Sequence, residues 1–325
     1  MLNDARILIT GGAGFIGSAT AATLLDHGND VFAVDNFRRN ALQHRIKQVP
    51  VLEKMSVYNA DILDLAELQR LIREIKPTHI VHAAAVAGID TVVLKPVSTL
   101  EINALGTMNV LKAALDAPDL QRIVTFSTSE IFGPQAFNSN ENSASVIGSV
   151  GEARWSYAVS KLAGEHMTLA YHSQHGMPST VLRPFNVYGP GQVGEGALSI
   201  FIQRALQDQN LQIHGDGTQI RAWCYIDDMV SGVIAALCHE GAVGKAFNIG
   251  NPRAVTTIYG LANSVIRLLN SRSQIEFVRK DYADIELRIP DAQWARTEIG
   301  FSAEVDLEQG IPLAAEFYRE KLGLS

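Results

Sequence analysis

An apolar run, RILIT at residues 6–10, passes directly into GGAGFIG at residues 11–17, and no other segment constrains the fold as strongly. Gly11, Gly14 and Gly17 follow a GxxGxxG spacing ahead of a helical pattern that begins near Phe15. A side chain at Gly11 or Gly14 would hold the backbone away from a pyrophosphate, and Gly17 lets the helix pack on the strand with its amino end facing negative charge. The spacing alone would also suit a plain strand-to-helix turn. Its context points to a dinucleotide, because the next strand, VFAV, ends at Asp35, where a carboxylate accepts from both ribose hydroxyls of NAD and repels a 2′-phosphate. NAD is expected over NADP, with Arg38 and Arg39 either softening that preference or meeting solvent. Asp61 and Ile62 follow another strand, where an aspartate accepts from an adenine amino group or closes a turn.

The remaining pattern is that of an α/β chain. Short apolar runs at Arg6 to Thr10, Asp30 to Asp35, Ser56 to Ala60, His79 to Ala83, Arg122 to Ser127 and Ser179 to Leu182 alternate with helical spacing at Ser18 to His27, Leu65 to Ile75 and Ile102 to Leu115. Such alternation describes a Rossmann-type doubly wound parallel sheet with crossover helices. After Leu182 the chain becomes rich in Gly and Pro, in RPFNVYGPGQVGEGA, and is expected to leave the sheet around 183–215. A run at Lys245 to Ile249 could return as a strand, and Ile258 to Leu269 and Leu307 to Lys321 read as helices of a smaller C-terminal substrate-binding lobe. The expected division is 6–250 for the dinucleotide-binding part and 251–325 for the lobe, which also uses 183–215.

Tyr157 and Lys161 lie four residues apart in YAVSK, so on a helix their side chains project from one face. A neighbouring ammonium and the positive nicotinamide of NAD would favour the phenolate and make Tyr157 a general base near neutral pH. Together TGGAGFIG, Asp35, HAAA at His82 to Ala85, STSEIFG at Ser127 to Gly133, YAVSK and RPFNVYGP resemble the extended short-chain dehydrogenase/reductase family, from residue 6 to about 300. That resemblance implies a retained NAD, reduced only transiently, and a sugar carried on a nucleotide diphosphate. It implies that Thr128 hydrogen-bonds the hydroxyl being oxidised, Tyr157 takes its proton, and Lys161 positions the nicotinamide ribose. The cofactor contacts it implies are Gly11, Gly14, Phe15, Ile16 and Gly17 in the first loop, then Asp35, Asn36, Asp61 and Ile62. Ala83, Ala84 and Ala85 complete them, with Tyr157 and Lys161. Asn186 and Arg221 would bind the sugar diphosphate. The chain departs from the usual pattern at Trp223, where a smaller or acidic residue is common.

Glu130 narrows the reaction. Simple C4 epimerases of this family usually place an apolar or hydroxyl residue two positions after the threonine, whereas the related 4,6-dehydratases carry an Asp-Glu pair. Here Ser129 replaces the acidic Asp and Glu130 remains. Loss of the acid fits a leaving group that needs no protonation, such as carbon dioxide from a hexuronate whose 4-ketone makes it a β-keto acid. The Thr-Ser-Glu triplet, RWSYAVSK from Arg154 and DIELRIPD from Asp284 to Asp291 are similar to those of UDP-glucuronate decarboxylases. By that likeness Arg288 would face the substrate, through a bidentate contact with a carboxylate or diphosphate or as a proton donor. Decarboxylation ranks first, C4 epimerisation second and dehydration third. A non-catalytic NAD-binding protein on the same fold is a reading of a different class. RPFNVYGP lacks a tryptophan that many bacterial decarboxylases have after RPFN.

Composition excludes other functions. A formal net charge of −7 leaves no cationic footprint for nucleic acid. Cys224 and Cys238 have no metal-ligand spacing, so no metal site is expected. Polar residues interrupt each apolar stretch, and the chain reads as cytoplasmic with no membrane contact. The resemblance implies a homodimer formed by the helix near Ile102 to Leu115 and the one carrying Tyr157. The scattered histidines, His82 and His166 among them, are given no role.

Overall fold

The computed structural model describes residues 2–194, 196–279 and 285–324. Seven parallel strands form the central sheet: β1 (Arg6–Thr10), β2 (Asp30–Asp35), β3 (Ser56–Asn59), β4 (His79–His82), β5 (Arg122–Phe126), β7 (Ser179–Pro184) and β12 (Lys245–Ile249). Their spatial order is β12-β7-β5-β4-β1-β2-β3. The chain winds outward from β1 to β2 and β3, then crosses to β4 and outward again. The strand order therefore reverses between β1 and β4, where a crevice opens at the carboxyl ends of the strands.

Local sequence explains these elements. β4 and β5 are buried along their whole length, as expected of runs covered by helices on both faces. The first crossover helix, Phe15–Asp26, is rich in Ala, Gly, Ser and Thr, and it packs against both the sheet and the helix Ile226–Cys238 beside it. Small side chains permit that two-sided burial. The helix Leu65–Ile75 is amphipathic instead, burying Leu68, Leu71, Ile72 and Ile75. Asp64 caps its start by accepting from Glu67 N at 3.0 Å, and Lys76 ends it in the left-handed region at φ +50°.

The run at 245–249 does return, as the edge strand beside β7. Between β7 and β12, and beyond β12, the structure differs from a purely helical lobe. A four-stranded sheet in the order β13-β10-β15-β6 joins β6 (Gln135–Ser139), β10 (Ile220–Ala222), β13 (Val255–Thr257) and β15 (Leu287–Pro290). Two small pairs accompany it: β8 (Val187–Tyr188) with β11 (Cys224–Tyr225), and β9 (Leu211–His214) with β14 (Ile275–Val278). The helices Ile258–Leu268 and Leu307–Leu322 occupy the expected positions. The stretch expected as one helix from Ile102 to Leu115 begins with a π turn, Glu101–Leu105, before the helix Gly106–Ala114. The start of the DIELRIPD segment, Asp284, lies outside the described residues. No helix among the described residues is long and apolar enough to cross a membrane.

Candidate active site

A cleft of about 1360 Å³ opens at the topological switch point and continues toward the second sheet. At its inner end the chain turns at Gly11, which adopts φ +73°. A Cβ there would stand 2.6 Å from Ala84 N, so only glycine lets β1 run this close to the loop after β4. A Cβ at Gly17 would lie 2.1 Å from Gly11 O, which explains the close packing of helix on turn. The exposed amide ends of Phe15–Asp26 face the cleft through Gly14, Phe15 and Ile16, with no acidic residue in the first turn to oppose an anion.

Asp35 closes β2. Its Oδ2 accepts from Ala13 N at 3.0 Å and its Oδ1 from Phe37 N at 2.7 Å, which fixes the carboxylate at the cleft wall. Burial raises its pKa against those backbone hydrogen bonds. Asn36, Ile62, Ala83, Ala84 and Ala85 also line the cleft. Asp61 alone among the expected cofactor contacts does not. Its Oδ1 accepts from Leu63 N at 3.0 Å and its Oδ2 from Asn36 Nδ2 at 2.9 Å, so it holds a turn and orients Asn36. His82 is buried between Thr10 and Thr107, 2.7 and 2.9 Å from their hydroxyls, and burial pushes its pKa down to about 3. It is a neutral packed histidine.

Thr128 lies just beyond the carboxyl end of β5, and its Oγ1 accepts from Glu130 N at 3.2 Å at the start of the tight turn Ser129–Phe132. Tyr157 and Lys161 come from the helix Ser156–His175 and reach the same part of the cleft. Burial depresses the Lys161 ammonium to about 8. The phenol behaves differently from the expectation that a neighbouring ammonium lowers it: burial and the Glu130 carboxylate raise Tyr157 above its ordinary value, against a hydrogen bond from Thr128 and the charges of Arg288 and Arg39. The physical reason is desolvation, which penalises a phenolate in a closed site more than these partners reward it. Proton acceptance by Tyr157 therefore needs further positive charge in the cleft.

Glu130 sits among arginines. Arg154 Nη1 donates to its Oε2 at 2.9 Å, and Arg288 Nη2 lies 3.6 Å from its Oε1. Burial favours the neutral acid, yet the charges of Arg288, Arg154 and Arg221, with the Arg154 hydrogen bond, prevail and hold the carboxyl below its usual range. Arg221 and Arg288 are register partners on the parallel neighbours β10 and β15. Arg221 Nη1 donates to Ile220 O at 2.9 Å and Nη2 to Ile285 O. Asn186, at φ +31°, donates from Nδ2 to Ala222 O at 2.8 Å, which joins the end of β7 to β10. Trp223, beside Arg221, is buried and packs edge-on to Tyr188 with ring centroids 6.4 Å apart. Every other expected site residue, Ser129 included, lines the one cleft.

Two site residues escaped the sequence reading. Arg154 stands three residues before Tyr157, in the tight turn Ala153–Trp155 that leads into its helix and also lines the cleft, and only its motif had been noted. Asn103, in the π turn, accepts from Val86 N at 2.7 Å and donates to Val86 O at 3.0 Å and Ser160 Oγ at 3.1 Å. It ties the loop after β4 to the Tyr157 helix. An Asn inside an apolar helical run was the available signal.

A doubly wound sheet whose cleft joins a glycine-rich strand-to-helix turn to a buried Thr and Lys and a half-buried Tyr defines an enzyme of the short-chain dehydrogenase/reductase kind. The family model described as the NAD dependent epimerase/dehydratase family matches residues 7–250, and the chain belongs to that family. It is 33% identical to the UDP-N-acetyl-alpha-D-glucosaminuronate decarboxylase of Bacillus cytotoxicus, over 97% of this chain and 98% of that one. It is 32% identical to a UDP-glucuronic acid decarboxylase of Xenopus tropicalis, over 98% of this chain and 73% of that protein. The structure of UDP-glucuronic acid 4-epimerase from Bacillus cereus, in complex with UDP-glucuronic acid and NAD, superposes with a TM-score of 0.87 at 28% identity, covering 97% of this chain and 99% of that one. NAD is the cofactor of this family, and the glycine turn, the exposed helix start and the fixed Asp35 fit it.

Proposed function

We propose that this enzyme decarboxylates a UDP-hexuronate through a transient 4-keto sugar. The observation that carries this reading is Glu130, a carboxyl side chain two residues beyond Thr128 and held between Arg154 and Arg288. The names of the two decarboxylase relatives support it.

Bound NAD would supply reversible hydride acceptance at C4 of the sugar. Thr128 holds the C4 hydroxyl and Tyr157 takes its proton, with Lys161 supporting the ribose and supplying positive charge beside the phenol. The resulting 4-ketone makes the C6 carboxylate a β-keto acid, so carbon dioxide leaves with its bonding electrons accepted toward the C4 oxygen. The C5 carbon then takes a proton, from Arg288 or water, and the hydride would return to C4 and the Tyr157 proton to its oxygen to give the UDP-pentose. Ser129, where an acid would stand in a dehydratase, fits a leaving group that needs no proton. Arg288 engages the hexuronate carboxylate, Arg221 and Asn186 hold the diphosphate, and Glu130 faces the C5 side of the ring. In the first loop Gly11, Gly14, Phe15, Ile16 and Gly17 cradle the pyrophosphate; Asp35 and Asn36 hold the adenosine ribose.

Residues 6–250 form the NAD-binding part and 251–325, with 183–215, the substrate lobe, to which β6 also contributes. A homodimer through the helices Gly106–Ala114 and Ser156–His175 is supported by exposed Leu105 and Val159 on that side. Mass spectrometry of products from UDP-glucuronate, UDP-N-acetylglucosaminuronate and UDP-glucose tests the reaction. Loss of carbon dioxide from a hexuronate supports the reading; an unchanged mass with a new C4 isomer would make the enzyme an epimerase, as the Bacillus cereus neighbour is named.

A further inference from the structure

The two arginines beside Glu130 do not hold it equally. Arg154 Nη1 makes a hydrogen bond to Oε2 at 2.9 Å, whereas Arg288 stands 3.6 Å from Oε1, outside hydrogen-bond range for that pair of atoms. Arg154 is itself built in. It lies in the tight turn Ala153–Trp155 immediately before the Tyr157 helix and is 7% exposed. Its guanidinium sits 5.0 Å from the ring centroid of Trp155, in cation-π range. The indole is locked in turn: its Nε1 donates to Glu152 Oε2 at 2.9 Å, and Gly148 lies so close that a Cβ there would stand 2.0 Å from Nε1. A packed tryptophan thus backs Arg154, and Arg154 backs Glu130.

We infer that Arg154 is a positioning residue of this active site: it fixes where Glu130 points and couples its position to the helix that carries Tyr157. This rests on the reading that Glu130 faces the reacting sugar. The groups facing Glu130 are Arg154 from the turn before the helix, Tyr157 from the helix, and Arg221 and Arg288 from β10 and β15. Arg154 donates a hydrogen bond to the carboxylate, so its removal should be felt as a change in Glu130 and only then in turnover.

The test uses holoenzyme carrying Arg154→Met, Arg154→Lys, Glu130→Gln and the double change Arg154→Met/Glu130→Gln. In Arg154→Met the acid limb of the kcat profile for carbon dioxide release from UDP-glucuronate moves to higher pH. Near neutral pH kcat falls by roughly 10²-fold, as for a misplaced reacting group, while KM changes little. Arg154→Lys, which keeps the charge and loses the planar fork, leaves the limb in place and restores part of kcat. The double variant is no slower than Glu130→Gln alone. Multiplying losses in the double variant, with an unmoved acid limb, would overturn the inference. Carboxyl ¹³C NMR of Glu130, assigned through Glu130→Gln, reads the same point without turnover: its titration midpoint rises in Arg154→Met and stays in Arg154→Lys. If wild type releases no carbon dioxide, the proposed reaction fails, and the NMR midpoint still decides Arg154. An unmoved midpoint in Arg154→Met would refute its role. Should Arg154→Met fail to fold, the reduced kcat and unmoved midpoint of Arg154→Lys provide the decision, and a wild-type kcat in that variant would contradict it.

Discussion

Arg221 and Arg288 stand side by side in register on adjacent parallel strands, β10 and β15, and both are buried, at 8% and 6% exposure. Neighbouring residues in register share a sheet face, so two planar guanidiniums are presented to one wall of the cleft. Such forks bind diphosphate and carboxylate bidentately. The two differ in what they approach. Arg221 donates to the backbone at Ile220 and Ile285, while Arg288 lies 3.6 Å from the Glu130 carboxylate, nearer the reacting groups.

Arg288→Met should therefore weaken UDP-glucuronate more than UDP-glucose, and Arg221→Met should weaken both alike. Loss of a charged hydrogen bond corresponds to about 1.5–3 kcal/mol, or roughly 10- to 100-fold in affinity. Calorimetric titration of each variant with both sugars checks this. Equal losses in Arg288→Met would reduce that arginine to a diphosphate clamp.

Tyr157→Phe should lower turnover by roughly 10²- to 10⁴-fold, the range of a lost general base, while NAD remains bound. Unchanged turnover would remove Tyr157 from the proton path.

Lys161 links the site to stability. Burial lowers its pKa from an ordinary 10.5 to about 8, so between those values the unfolded chain binds more protons than the folded one. The penalty of burying the ammonium is fully present below pH 8 and is relieved as pH rises toward 10. Cofactor-free wild type should gain melting temperature over that window, and Lys161→Met should melt higher near pH 7 and lose the rise. Tyr157 opposes the trend only above pH 10, because its raised pKa favours the neutral phenol of the folded state. A flat wild-type profile from pH 8 to 10 would contradict the buried charge.

Asp35→Ala should cost roughly 10- to 100-fold in NAD affinity and narrow the preference over NADP, since it removes the carboxylate fixed by Ala13 N and Phe37 N and leaves Arg38 and Arg39 nearby. Fluorescence titration with both cofactors reads the ratio.

Much of the fold was legible because its signals are local. The seven sheet strands are apolar runs four to six residues long that any window detects, and Gly11 announces its own turn. The second sheet was not legible. β6, β10, β13 and β15 hold three to five residues each, and they are joined by pairs between segments far apart in the chain, Leu287 with both Gln135 and Ile220 and Ile220 with Thr257. For the same reason Arg221 and Arg288 could each be named, but their register could not. At Asp61 the sequence left an adenine contact and a turn both open, and the side chain accepts from Leu63 N and from the amide of Asn36. Tyr157 does line the cleft from one helix with Lys161, but its protonation depends on burial and on Glu130, and neither is visible from a spacing of four residues.

The most direct measurement of the central claim is the fate of the hexuronate carboxyl carbon. UDP-glucuronate labelled with ¹³C at C6 is incubated with wild type and with Glu130→Gln, and headspace carbon dioxide is followed by mass spectrometry. Wild type should release the label and leave a UDP-pentose, and Glu130→Gln should release it far more slowly. Label retained in a UDP-hexuronate with inverted C4 would contradict the account.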